Sequence, residues 1–310
     1  MTSYHVPTGG LPPQTQLLTD RAIFTDAYAV IPKGTMSDIV TSLLPGWEKT
    51  RVWVLARPLS GFAETFAQMI VELAPGGGST APEPDPQGEG VVFVVGGEIV
   101  LIIDGARHRL APGGYAYIAA GADWTVVNTS DANATFHWIR KRYEPGPGLE
   151  APTSFVTREQ DIAPSEMPDT GGVWSTTRFV DPADLRHDMH VTIVNFEPGG
   201  VIPFAETHVM EHGLYVLEGK AVYRLNGDWV EVGPSANRPA TGWMQAESVV
   251  AWKQNIVGAF TNTAGRERQL MFNSEDDLRW LMNHEALPQV QERLLAEASA
   301  GISNGDRGVV

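Results

Sequence analysis

Apolar residues in this chain fall in short runs of four to six, closed by Gly, Pro and Asn: Val91 to Val95, Ile99 to Ile103, Tyr115 to Ile118, Thr135 to Ile139, Val191 to Phe196 and Ala221 to Leu225. Runs of that length between turn residues predict strands, and their density predicts an all-β architecture of barrels or jelly rolls rather than alternating βαβ units. One stretch differs. From Glu275 to Ser299, residues Leu278, Leu281, Leu287, Val290, Leu294 and Leu295 recur at largely helical spacing, interrupted by Pro288, which predicts a helix pair.

A weak internal repeat organises the strands. Leu73-Ala-Pro-Gly-Gly-Gly followed by Gly90-Val-Val-Phe-Val-Val-Gly96 is mirrored by Phe196-Glu-Pro-Gly-Gly-Val followed by Gly213-Leu-Tyr-Val-Leu-Glu-Gly219, at a constant offset of 123 positions. Two copies of one β-unit are implied. Composition then sets the expected boundaries: an N-terminal arm over 1–20, a first barrel over 21–145, a Pro/Gly-rich connector over 146–172, a second barrel over 173–262 and a helical tail over 263–310.

The chain has 310 residues, room for about two domains of ~150 residues each. Its 37 acidic against 22 basic residues give a formal charge of -15, which repels phosphate backbones, so nucleic acid is not expected as a partner. Cysteine is absent, which excludes disulfides, zinc ribbons and thiol nucleophiles. The N-terminal residues carry no basic patch followed by an apolar run, and no segment approaches the roughly 18 apolar residues of a membrane span. No membrane association and a cytoplasmic location are the expectations.

The candidate chemistry lies in Glu206-Thr-His208-Val-Met-Glu-His212. Side chains two apart on a strand face the same way, so Glu206 and His208 can share a face and His212 can join them after a turn. Oxygen and nitrogen donors without a thiol leave coordination positions for water or substrate, as a reactive metal site requires. At the repeat offset the first copy has Glu83, Asp85 and Glu89 instead, with no imidazole. These three read as a solvated acidic loop among Pro82, Pro84 and Pro86, with a hard-cation site as the other reading.

With Gly200 before it and Gly219 after it, the cluster resembles the first cupin motif with the order of one His and the Glu exchanged. Ala119-Ala-Gly-Ala-Asp-Trp124-Thr-Val-Val-Asn128 resembles the second motif in the first copy, but has Trp124 where the histidine belongs. The segments Met167 to Phe179, Leu185 to Val191 and Ile202 to Leu225 narrow this: the chain resembles the bicupin (S)-ureidoglycine aminohydrolases, from about Arg21 to Val232 and most strongly from Trp174 onward. The resemblance implies two tandem double-stranded β-helix (jelly-roll) barrels, the first free of metal. It implies release of ammonia from ureidoglycine to give ureidoglycolate, in purine and allantoin catabolism. The metal would be manganese, Mn2+, held by Glu206, His208 and His212, although such donors also accept iron, nickel or zinc. A small ureide is then the substrate, and a homo-oligomer is expected.

Other positions follow from the same resemblance and from residue chemistry. Tyr223 matches an active-site tyrosine whose phenol can hydrogen-bond substrate or relay a proton; a barrel-wall aromatic is the alternative. His190 and Met189 precede the metal motif and are substrate-binding candidates, of which alternation lets only one face the lumen. Glu211 is either a second acceptor orienting His212 or an exposed turn acid. Arg178 and Arg186 either meet a substrate carboxylate or form surface or intersubunit ion pairs, the commoner outcome.

The chain departs from the family after Val232. Gly233-Pro-Ser-Ala-Asn-Arg-Pro-Ala-Thr-Gly-Trp243 carries two prolines where the family has a strand bearing the fourth ligand, a glutamine. Gln245 or Gln254 is left to supply that ligand, and Lys253 a family lysine, with no spacing that chooses between them. Back-translated and read two bases on, Gly233 to Trp243 permits a peptide similar to the family's glutamine-bearing strand, so a shifted reading explains the break. The alternatives to the hydrolase are another cupin metalloenzyme, a dioxygenase or decarboxylase, and a ligand-binding bicupin whose altered segment has cost it catalysis.

Overall fold

A computed structural model describes residues 22–25, 28–32, 44–58, 65–168, 170–200, 211–219, 221–225, 228–232, 248–251, 256–260, 267–273 and 279. Among them the architecture is all-β, as two halves. In the first half nine strands form one sheet, in the order Phe155–Arg158, Gly114–Ile118, Gly88–Gly96, Ala134–Arg142, Phe66–Ser79, Trp124–Val127, Ile99–Ile103 and Ala106–Leu110, with Trp47–Ala56 also paired to Phe66–Ser79. In the second half an eight-stranded sheet runs Ile23–Phe24, Tyr28–Ile31, Ser248–Ala251, His212–Glu218, Glu267–Asn273, His190–Phe196, Trp174–Arg178 and Ser165–Glu166. A three-stranded sheet of Asp228–Val232, Ala221–Leu225 and Ile256–Phe260 completes it.

Local chemistry explains several of these elements. Ile99–Ile103 returns as Ala106–Leu110 through Asp104 and Gly105, both at positive φ (49° and 81°), the two-residue turn whose twist matches the strands it joins. The unbroken apolar run from Val91 to Val95 reflects burial on both faces. Val92 and Val94 pair with Trp138 and Phe136 in the core of the first half. Val91 and Phe93 enter a second core that also holds Tyr215, Leu270 and Phe272 of the second half. The halves therefore share hydrophobic packing, with the Phe66 and Phe272 rings 4.3 Å apart.

Chain segments cross between the halves. Tyr28–Ile31, four buried residues from the stretch expected in the first barrel, pairs with Ser248–Ala251 and covers an edge of the second sheet. The expected connector carries Phe155–Arg158 at the edge of the first sheet and Ser165–Glu166 at the edge of the second.

The helical tail from residue 263 is not supported. Glu267–Asn273 is a strand between His190–Phe196 and His212–Glu218, and its Leu270 and Phe272 are buried at period two. The leucine-bearing stretch beyond it lies outside the described residues. So does Gly233 to Trp243, although Ser248–Ala251, Ile256–Phe260 and Glu267–Asn273 all pair into the second half.

Candidate active site

Three strands place the described candidates. His190 pairs with Asn273, and Asn273 pairs with His212, so one row crosses the sheet from histidine to histidine. Directly paired residues project from the same face, which puts the two imidazoles on one side with backbones about 10 Å apart. Arg178 pairs with Thr192, two residues along from His190, and so belongs to that face as well. Its Nε donates to Thr176 Oγ1 at 3.0 Å. The face thus collects a guanidinium and two imidazoles, and each histidine is only 7% exposed.

Burial, and after it the Arg178 guanidinium, pushes His190 down to about 4, so the ring is neutral at pH 7. Met189, one residue earlier, is buried in the shared hydrophobic core instead. Tyr223 is 2% exposed in the same core, which also holds Met189, Leu214 and Val194, so burial fits the barrel-wall alternative as well as a site tyrosine. Arg186 forms an ion pair with Asp184 at 2.6 Å and is half exposed. Arg178 is part-buried, and the strand register puts it on the face that carries His190.

Glu206, His208, Gln245, Gln254 and Lys253 lie outside the described residues. Among the described residues no three His, Cys, Asp or Glu side chains gather as a metal group. Of the three ligand candidates only His212 is described, on a buried face one strand away from a second, neutral imidazole, a donor type suited to divalent metals.

The other side of the strand faces the first half. Glu211 Oε2 accepts from the Thr65 amide at 2.8 Å and also from the Thr65 hydroxyl. A Cβ added at Gly213 would lie 2.5 Å from Gln68 Oε1 and 3.4 Å from the Phe66 ring. Tyr215 packs on His137 with ring centroids 4.0 Å apart.

A buried polar seam, which composition did not reveal, lies along the same junction. Lys141 Nζ contacts Asp188 Oδ2 at 2.6 Å, and the Glu144 amide donates to the same oxygen at 2.7 Å. The Tyr117 hydroxyl donates to Glu89 Oε2 at 2.6 Å, and the His187 ring meets the Tyr117 ring edge-on. Glu89 is 1% exposed, which corrects its reading as part of a solvated loop. Burial first, then the neighbouring Asp188 carboxylate, holds Glu89 well above the usual carboxylate range. Glu83 and Asp85 of the same expected loop pair instead with Arg140 and Arg142. The clue in the sequence was Lys141, a cation directly across the strands from Glu89.

Comparison with known proteins agrees with the all-β fold. The Cupin domain family matches residues 69–140. The (S)-ureidoglycine aminohydrolase of Escherichia coli (strain K12) is 30% identical over 220 residues, covering 70% of this chain and 80% of that protein. A rice (Oryza sativa subsp. japonica) protein named "Probable (S)-ureidoglycine aminohydrolase" is 30% identical over 214 residues, 68% of this chain and 65% of its own length. A crystal structure of the "Putative Glyoxylate Induced Protein" from Pseudomonas aeruginosa superposes with a TM-score of 0.73 at 59% identity, covering 88% of this chain and 96% of that one. With an all-β fold of two halves and an identity of 30% across four fifths of the Escherichia coli enzyme, this chain belongs to the bicupin (S)-ureidoglycine aminohydrolase family.

Proposed function

We propose that this protein hydrolyses (S)-ureidoglycine to (S)-ureidoglycolate and ammonia, with a manganese ion held by Glu206, His208 and His212. The observation that carries this reading is the shared face of Arg178, His190 and His212, taken with the similarity to (S)-ureidoglycine aminohydrolases. Bound there, a divalent cation would supply positive charge to hold the substrate and lower the pKa of a coordinated water.

The chain's own residues do the rest. Arg178 offers a planar fork of donors to the substrate carboxylate. His190, neutral because it is buried, accepts or donates one hydrogen bond without adding a charge that would have to be desolvated. Tyr223, buried in the core and assigned on the resemblance to the family, would hydrogen-bond the ureide or pass a proton to the departing amine. Water replaces the amino group at the substrate carbon, and the nitrogen leaves as ammonia.

Ammonia release from (S)-ureidoglycine by manganese-loaded protein tests the proposal, with loss of that release expected in His208→Ala and His212→Ala. Oxygen uptake or carbon dioxide release in its place would assign a different cupin chemistry. Retained metal with no turnover would make the protein a binding bicupin, the reading that the break after Val232 favours.

A further inference from the structure

We infer that the first half of the molecule positions the metal-binding strand of the second, through a clamp of Thr65 on Glu211 immediately beside His212. This rests on the proposed role of His212 as a ligand, and it assigns Thr65 and Glu211 as positioning residues for it.

The inference starts from alternation. Glu211, just before His212–Glu218, and Gly213 and Tyr215 within it turn away from the candidate site and meet the first half. Glu211 takes two hydrogen bonds from Thr65, Gly213 leaves the space that Gln68 and Phe66 fill, and Tyr215 lies on His137. Glu211 is 7% exposed, so its carboxylate is largely removed from water and the two bonds from Thr65 help to hold it. His212, between Glu211 and Gly213, has both chain neighbours fixed by the other half. A ligand at the first residue of a strand would otherwise sit where pairing frays, and metal affinity is sensitive to small errors in donor placement.

Manganese binding to the full-length protein, followed by the electron paramagnetic resonance of free Mn2+, provides a measure independent of turnover. Glu211→Ala is expected to weaken Mn2+ binding by ~10–100-fold, the usual effect of losing a group that orients a ligand. Glu211→Gln retains an oxygen acceptor for both Thr65 donors and is expected to restore binding to within about threefold of the parent, which a general effect on packing would not do. Thr65→Val removes the hydroxyl and keeps the amide, so it is expected to give an intermediate loss, and it serves if Glu211→Ala does not fold.

Parent-like Mn2+ affinity in a folded Glu211→Ala or in Thr65→Val overturns the inference while leaving the hydrolase reading intact. An equal loss in Glu211→Gln and Glu211→Ala also overturns it. A parent protein that binds no Mn2+ overturns the metal reading and this inference together. Binding of Mn2+ without ammonia release overturns only the hydrolase reading.

Discussion

His137 is wholly buried, and among the described residues neither ring nitrogen has a hydrogen-bond partner. Burial pushes it down to about 3, and His187 and His190 down to about 4. The unfolded chain binds these protons near pH 6.5 and the folded one does not, so stability is full above that value and is lost as pH falls through 6.5 towards 4 and 3. His137→Phe keeps a ring against Tyr215 and removes two unsatisfied nitrogens. It should raise stability by about 1–3 kcal/mol and flatten the acid limb, as read from urea unfolding at pH 7 and pH 5.

Glu89 has the opposite sign. Its folded pKa is raised from 4.5, so its contribution is full below that value and declines as pH rises through the higher one. The groups facing it are Asp188 of the second half, Lys141 across the strands, and Tyr115 and Tyr117 beside it, with His187 edge-on to the Tyr117 ring. Among the described residues Glu89 Oε1 and Asp188 Oδ1 both lack a donor, and a proton shared between the two acids would supply it. Glu89→Gln makes that donor permanent, so the variant should gain on the parent as pH rises from 5 to 8 in the same unfolding experiment. An unchanged pH slope would remove Glu89 from the account. At the site itself, Arg178→Ala should raise KM for the ureide ~10–100-fold and change kcat less, since it removes a charged hydrogen bond made to bound substrate.

At the scale of elements, short apolar runs were sufficient to find strands. Val91 to Val95 and Ile99 to Ile103 lie wholly within Gly88–Gly96 and Ile99–Ile103, and Val191 to Phe196 lies within His190–Phe196. Glu267–Asn273 escaped because Glu-Arg-Gln opens it and the leucines that follow set a helical period, which drew the boundary to 263. Its value comes from its neighbours: it lies between the two strands that present His190 and His212. Tyr28–Ile31 is similar, a short buried strand whose partner lies in the other half. Deleting residues 1–32 should uncover the Ser248–Ala251 edge and produce soluble aggregates, visible by light scattering on a sizing column. A monodisperse product with the parent's melting temperature would show that the edge needs no cover.

For the whole molecule, the all-β strands and their turns could be read along the chain because each is local: a pleat with period two, a turn closed by glycine. Arg178 could not be told from a surface arginine, nor Glu89 from a loop acid, because their surroundings are supplied by other strands. The rows joining His190 to Asn273 to His212, the cover of Ser248–Ala251 by Tyr28–Ile31, and the grip of Thr65 on Glu211 all connect residues far apart in sequence. Such pairings are chosen by which buried faces and open hydrogen-bond edges satisfy one another once the chain has collapsed, so no short window of residues contains them.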